Sequence, residues 1–291
     1  MNLLRLREDR AWRDEMTAWV DASLTAHKAT RQGLAQEVRV MPWSAVYRFA
    51  TDRGDVYFKA CGPSQAHEPV LATWLAAHYP DCMIPVWAAD AARGYCLMPN
   101  GGPTLTEALA TGGDEAGHWQ RVLALQAAVQ RDMMPAADDL LALGVLDRRP
   151  TVLPGLLAAL LERPEHLLVG EPDALTPDDV TQLRALLPRL SVICDELAAI
   201  GPPDTFVHDD FHEDHIFTIA QPDGTWRYVF FDFGDACVGH PFFQMVAPQR
   251  FYARAYDELE ADDGTVESLY ELYMRAWAAD GVSPELRRTL N

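Results

Sequence analysis

No stretch of this sequence approaches the run of about 18 apolar residues that a membrane-crossing helix needs, and no segment joins low hydrophobicity to a long charge run that would predict disorder. Basic residues are scarce. Against 43 Asp and Glu stand only 24 Lys and Arg, a net charge of −19 that repels a phosphate backbone and argues against nucleic acid as a partner. Such a surface suits cationic or neutral small molecules, and it also serves plain solubility. Cysteines are few and odd in number. Cys61, Cys82, Cys96, Cys194 and Cys237 include no C-x-x-C pair, which argues against a disulfide framework or structural zinc and points to a reducing cytoplasm. The opening MNLLRLREDRAWRDEM interrupts its apolar residues with arginines and acids before a signal-peptide core can form, so neither export nor membrane insertion is expected. Internal repeats and low-complexity tracts are also missing.

What is present suffices for two lobes: 291 residues, 49% of them apolar, at about 100 to 200 residues per domain. Residues 9–28 read as an amphipathic helix with Trp12, Met16, Trp19, Val20, Ser23 and Leu24 near one stripe. From Val38 the pattern becomes β-like, VRVMPWSAVYRFAT and DVYFKA around the turn-forming DRGD, followed by the helical HEPVLATWLAAHY and the strand-like MIPVWAAD and GYCLMP. Residues 1–98 are thus expected to hold an N-terminal helix, an antiparallel sheet and one helix. The Pro and paired Gly of 99–105, PNGGPTL, mark a hinge. Residues 106–291 read as mostly helical, with segments 115–132, 151–162 and 178–200 at helical spacing, except for a strand-rich island at 205–235.

That island, FVHDDFHEDHIFTIAQPDGTWRYVFFDFGDACVGHP, centres on a hairpin whose turn is Pro222-Asp223-Gly224. Asp210 precedes its first strand and Asp232 follows its second, so folding the hairpin returns both carboxylates to one edge. Phosphoryl transfer asks for a metal to neutralise phosphate charge, a cation on the phosphates, and a carboxylate to orient or deprotonate the incoming hydroxyl. Asp232, within Asp232-Phe233-Gly234, offers oxygen to Mg²⁺, Asp210 can take the hydroxyl proton, and Lys59 in VYFKA can reach the phosphates. Glu68 is the only acid of its predicted helix and the natural partner for Lys59. A strand-end lysine is by itself a solvated charge, and D-F-G alone is a weak signal. Their joint order carries the weight: Lys in a strand, Glu in the next helix, a Pro/Gly hinge, H-x-D before a hairpin and D-F-G after it.

With those residues in view, the chain resembles the aminoglycoside phosphotransferase and choline kinase-like family, relatives of protein kinases. The likeness spans about residues 38–250 and is most specific in HDDFHEDHIF and FFDFGDACVGHPFF, where the family has H-G-D-x-H-x-x-N and I-D-F/W-G-D-A. It implies an α+β, bilobal protein-kinase-like fold with a small β-rich N-lobe and a larger, mostly helical C-lobe. It also implies ATP or another nucleoside triphosphate, Mg²⁺ with Mn²⁺ as an alternative, and a small-molecule hydroxyl acceptor. Position by position, Asp210 becomes the catalytic base, Asp232 a metal ligand, Lys59 and Glu68 the phosphate-anchoring pair, and Met98 to Gly101, including Asn100, the adenine hinge. His208 braces the loop. The family's phosphate-covering turn often contains G-x-S; here Pro42-Trp43-Ser44-Ala45 occupies it without the glycine, leaving Ser44 as donor.

His215 is the main departure, standing five residues after Asp210 where the family has a metal-binding Asn. Imidazole suits Zn²⁺ or Mn²⁺ better than Mg²⁺. Three outcomes follow: Asp214 holds the second metal, His215 holds a softer ion, or transfer is slow or lost, leaving a nucleotide-binding pseudokinase. A rival class is a two-metal hydrolase built on His208, Asp209, Asp210, His212, Asp214 and His215, which would need neither Lys59, Glu68 nor D-F-G. For the acceptor, Asp209, Asp235, Glu258 and Glu260 can attract a cation or simply form solvated faces. Tyr252, Tyr256, Tyr270, Tyr273 and Trp277 are expected in the core rather than in a pocket. The oligomeric state is not legible.

Overall fold

The computed structural model describes residues 3–112, 114–169, 171, 174–248 and 263–278. After a single helical turn, α1 (Leu3–Leu6), the Asp9 carboxylate caps α2 (Arg10–Ala26) by accepting from the Ala11 and Trp12 amides at 2.8 and 3.4 Å. The apolar stripe of α2 is realised as Trp12, Met16, Val20 and Leu24, all buried. They pack on one face of a five-stranded antiparallel sheet ordered β1-β2-β3-β5-β4, made of β1 (Gln36–Val40), β2 (Ser44–Thr51), β3 (Gly54–Cys61), β4 (Ala88–Asp90) and β5 (Tyr95–Pro99). The run VRVMPWSAVYRFAT therefore divides in two. Met41 N–H bonds the Ser44 carbonyl at 2.8 Å across Pro42 and Trp43, closing a tight turn where proline has no amide to give to a ladder.

Strand alternation decides which side chains reach the site. Val56, Phe58 and Ala60 of β3 join Tyr47, Phe49, Tyr95 and Leu97 in the core under α2. Lys59, one residue out of phase, faces the opposite side of the sheet, toward α3 (Glu68–His78). The apolar residues of α3, Leu71, Ala72 and Leu75, belong to a second and larger core shared with the helical part of the chain.

That part contains α4 (Leu105–Ala110), α5 (Glu115–Met133), α6 (Ala137–Ala142), α7 (Leu153–Leu161), α8 (Pro164–Leu167), α9 (Pro177–Ile200) and α10 (Asp263–Ala278). Among these described helices none is long and apolar enough to cross a membrane. A three-stranded sheet that the sequence does not announce lies among them: β10 (Cys237–Gly239) pairs parallel to β6 (Leu146–Arg148) and antiparallel to β7 (Thr205–Val207). Tyr273 and Trp277 are core residues, as expected, and Tyr270 is half-buried beside them. Tyr252, Tyr256, Glu258 and Glu260 lie outside the described residues.

The expected hairpin forms from β8 (Ile216–Ala220) and β9 (Trp226–Phe230), with Gly224 in its turn at φ +83°. It is stitched to both neighbouring segments. Phe230 donates to the Cys82 carbonyl at 2.8 Å and accepts from Ile84 at 3.0 Å, while Thr218 donates to the Pro103 carbonyl at 2.8 Å. Most of MIPVWAAD is consequently not in the large sheet; Met83 instead forms a bridge with Phe230 and only Ala88–Asp90 is a strand of that sheet.

Candidate active site

Lys59 is buried at the meeting point of the large sheet, α3 and the end of the hairpin. Its ammonium lies 2.7 and 2.8 Å from the two Glu68 oxygens and 2.6 Å from Asp232 Oδ1. Glu68 is further fixed by the Phe233 amide at 3.2 Å and the Cys61 thiol at 3.2 Å. Burial on its own would lower the Lys59 pKa, yet Asp232 and then Glu68 outweigh it and hold the ammonium well above its usual range. For Asp232 burial acts upward, but Lys59 and His215 pull the carboxyl well below the ordinary aspartate value. Glu68 moves the other way: desolvation raises it despite Lys59. Lys59 charged and Asp232 ionised is the state these environments select.

The turn that delivers Asp232 is conformationally unusual. Asp232 at φ +63° and Asp209 at φ +64° are left-handed non-glycine residues, each directly flanking a strand end or the Asp210 loop. Arg148 of β6 pairs with the Asp209 carboxylate and so ties β6 to that loop. Gly234 lies close under Gln65: a Cβ there would stand 2.5 Å from the Gln65 amide carbon, so that side chain would have to shift.

Asp210 follows β7, with its own amide bonded to the His208 carbonyl at 2.9 Å. His208 is wholly buried, its Nε2 2.8 Å from the Phe231 carbonyl; burial and then His215 push its pKa down to about 3, so it is neutral. It braces β7 against the segment just after β9. Burial raises the Asp210 pKa; His215 works against that, while Asp232, Asp235 and Asp209 add to it. Four acids near one another make ionising Asp210 harder.

His215 ends a one-turn 3-10 helix, Glu213–His215, and its Nδ1 lies 2.8 Å from the Asp210 carbonyl oxygen. A carbonyl only accepts, so Nδ1 carries the hydrogen, and Nε2 stands 3.5 Å from Asp232 Oδ2. His212 sits beside it, ring centroids 4.0 Å apart, with Nε2 3.8 Å from Asp210 Oδ1 and its pKa driven down to about 4, chiefly by burial. Asp214 is set apart: its side chain is 63% exposed and its carboxylate is 4.0 Å from His212 Nδ1.

These groups open onto one cavity of about 390 Å³, lined by Arg39, Trp43, Ser44, Val46, Ser64, Gln65, Asp210, His215, Asp232 and Asp235. The structure thus brings Lys59, Glu68, Asp232, Asp210, His215 and Ser44 together. Ser44 opens β2 at the cavity roof. Asn100 and Met98 lie elsewhere, at and just past the end of β5; the Asn100 amide bonds the Asp55 carbonyl at 2.9 Å and its side chain accepts from the Gly102 amide. Of the acids considered for a cationic acceptor, Asp235 lines the cavity and Asp209 is engaged by Arg148. Arg39, Ser64 and Gln65 are additions that no local pattern marks, since only the fold carries β1 and the turn before α3 to the cavity. His212 is legible from its spacing, two residues beyond Asp210.

The chain between the sheet and α4 is close-packed against the hairpin. A Cβ on Gly101 would fall 2.1 Å from the Phe217 ring, which itself stacks on Phe231 at 4.1 Å and 14°. Gly101→Ala should therefore destabilise the protein by about 1–3 kcal/mol, visible in thermal unfolding as a Tm lower by roughly 2–4 °C per kcal/mol.

A β-rich N-terminal part, a helical remainder and a lysine–carboxylate cluster between them define a protein-kinase-like fold. Residues 37–279 match the phosphotransferase enzyme family, and the chain belongs to that family. Solved structures agree on the fold. A macrolide 2'-phosphotransferase type I is similar at 16% identity and TM-score 0.56, over 94% of this chain and 85% of that one. An aminoglycoside 2'-phosphotransferase in complex with GDP is similar at 14% identity and TM-score 0.54, over 94% and 85%. The choline kinase LicA from Streptococcus pneumoniae is similar at 12% identity and TM-score 0.52, over 89% and 80%. No curated protein sequence matches the chain significantly.

Proposed function

We propose that the chain is a kinase that transfers the γ-phosphoryl group of ATP to a hydroxyl of a small molecule. The observation that carries this reading is the Lys59 ammonium held between Glu68 and Asp232, with Asp210 facing the same cavity. Lys59 anchors the nucleotide phosphates, Glu68 keeps it aimed, Ser44 and its turn cover them, and Met98 to Gly101 receive the base. Asp210 accepts the proton of the incoming hydroxyl and directs its oxygen at the γ-phosphorus. The lobes in this reading are residues 1–98 and 106–291, joined at 99–105.

The donor set fits a divalent ion. With Nδ1 donating to a carbonyl, the unprotonated Nε2 of His215 and the Asp232 carboxylate oxygen 3.5 Å from it can both ligate a cation placed between them. Asp232 and His215 would hold that ion, with Asp210 adjacent, and it would supply neutralisation of phosphate charge. The nitrogen makes Mn²⁺ at least as suitable as Mg²⁺. Asp235 at the rim and the acidic net charge favour a cationic or neutral acceptor. Five free, buried cysteines agree with a reducing, cytoplasmic setting.

An ATP-consumption screen against aminoglycosides, macrolides, amino alcohols, sugars and nucleosides, in Mg²⁺ and in Mn²⁺, tests the reading. Turnover with at least one class is expected. Nucleotide binding without turnover toward any acceptor would leave a pseudokinase, and absence of nucleotide binding would remove the reading altogether. With an acceptor in hand, pH adds a second check. Asp210 works unprotonated, so kcat/KM falls as pH drops through its raised pKa, and the acid limb should lie above the ordinary aspartate value of about 3.9. Asp235→Asn removes one raising charge and should move that limb downward.

A further inference from the structure

We propose that Asp210, His212 and His215 form a site for a borderline transition ion of the zinc class, and that an ion bound there halts phosphoryl transfer by capturing Asp210 and by taking His215 from the divalent ion of the reaction. The binding half stands on geometry alone. The inhibitory half rests on the role given to Asp210 above.

One ligand atom from each of the three residues lies within 4.8 Å of the others. Donors about 2.0–2.1 Å from a tetrahedral zinc ion stand about 3.4 Å apart. His212 Nε2 and Asp210 Oδ1, at 3.8 Å, are already close to that separation. Both rings are nearly buried and held side by side, so little side-chain freedom is lost on binding.

On His215 the second nitrogen already has an acceptor, the arrangement that fixes a metal-binding imidazole. His215 Nδ1–H donates to the Asp210 carbonyl. His212 Nδ1 now receives the Asp214 amide over a long 3.4 Å, which places the ring proton on Nε2. Entry of an ion at Nε2 moves that proton to Nδ1, so the Asp214 amide must give up its place and the Asp214 carboxylate, now 4.0 Å away, must close in to accept; no net proton leaves the ring. Two imidazoles and one carboxylate leave a fourth position for water, a set that suits zinc and is poorly matched to Mg²⁺, which asks for oxygen. The acids Asp232 and Asp235 on the same cavity add attraction for a divalent cation.

The test uses the full chain without an affinity tag. Co²⁺ should give visible d–d bands saturating at one equivalent, displaced by Zn²⁺. In protein labelled with ¹⁵N-histidine, Zn²⁺ should move the ring-nitrogen signals of two histidines, a measurement that needs no variant. His212→Asn and His215→Asn should each weaken cobalt binding by about tenfold or more. Zinc should inhibit transfer, and a chelator should restore it. The binding half fails if no bands and no shifts appear, or if neither substitution changes them. If cobalt binds as described but zinc leaves turnover untouched, the inhibitory half fails. A chain that binds cobalt yet never transfers phosphate refutes the kinase reading and the inhibitory half with it, while the binding half stands.

Discussion

Asp210→Ala is expected to lower phosphoryl transfer by about 10²–10⁴-fold, the usual contribution of a positioned general base, while nucleotide affinity changes little. The separation follows from position. Asp210 faces the cavity at the mouth of the Asp210-to-His215 loop, whereas the phosphates are assigned to Lys59, which bonds Glu68 and Asp232 and does not touch Asp210 among the contacts described. The main chain around Asp210 is held by its amide bond to His208 and by the His215 ring on its carbonyl, neither of which involves the lost carboxylate. Single-turnover kinetics and nucleotide titration on the same preparation provide the check. A variant that retains more than about a tenth of wild-type turnover would assign the proton to another acceptor.

Lys59→Met carries the second large expectation, and it acts on two properties at once. Removing a positioned cation from the phosphates should reduce turnover by about 10²–10³-fold, the scale found for losing one preorganised charge-stabilising group. It also leaves Glu68, only 2% exposed, without the ammonium that held it. Breaking one partner out of a buried pair costs about 3–5 kcal/mol, equivalent to a Tm lower by on the order of ten degrees. Adding Glu68→Gln should recover part of that stability and none of the activity, because the more deeply buried orphaned charge is gone while Asp232 and the phosphates still lack a cation. Thermal unfolding and kinetics of the two single variants and the double variant complete the cycle. A pH dependence accompanies it. Asp232, depressed mainly by Lys59 against the effect of burial, stabilises the fold above the ordinary carboxylate range, and that contribution is lost as pH falls through its lowered pKa. Lys59→Met should flatten this acid sensitivity.

Much of this site is legible in the linear sequence because each part announces itself by local chemistry. The strand VYFKA places Lys59 out of phase with Phe58, so a lysine among apolar residues can only face the other side of the sheet. The Asp-Gly turn of the hairpin brings Asp210 and Asp232 to one edge whatever the rest of the chain does. What stays hidden depends on contacts between segments distant in sequence. Arg39 and Gln65 reach the cavity only because β1 and the turn before α3 are carried there by the sheet and helix. The three-residue strands β6 and β10 have no periodicity to read, and Arg148 meets Asp209 only through their parallel pairing. The split of VRVMPWSAVYRFAT into β1 and β2 follows from the family resemblance, which puts a turn at Pro42-Trp43-Ser44-Ala45, and not from the β-pattern alone, where one proline is a weaker mark than the glycine-bearing DRGD.

The stitching of Phe230 to Cys82 and Ile84 bears on how the chain is made. Leu71, Ala72 and Leu75 of α3, with Met83 and Ile84, are buried in one core with Trp119, Phe211 and Phe230 rather than among the residues before 99 alone. A nascent chain ending near residue 98 would therefore hold the large sheet and its α2 core but leave a ready apolar face with nothing to cover it. At about 5–20 residues per second, the ribosome needs on the order of ten seconds more to deliver β9. For that interval the apolar face is exposed, and the Pro/Gly stretch at 99–105 does not mark where folding autonomy begins.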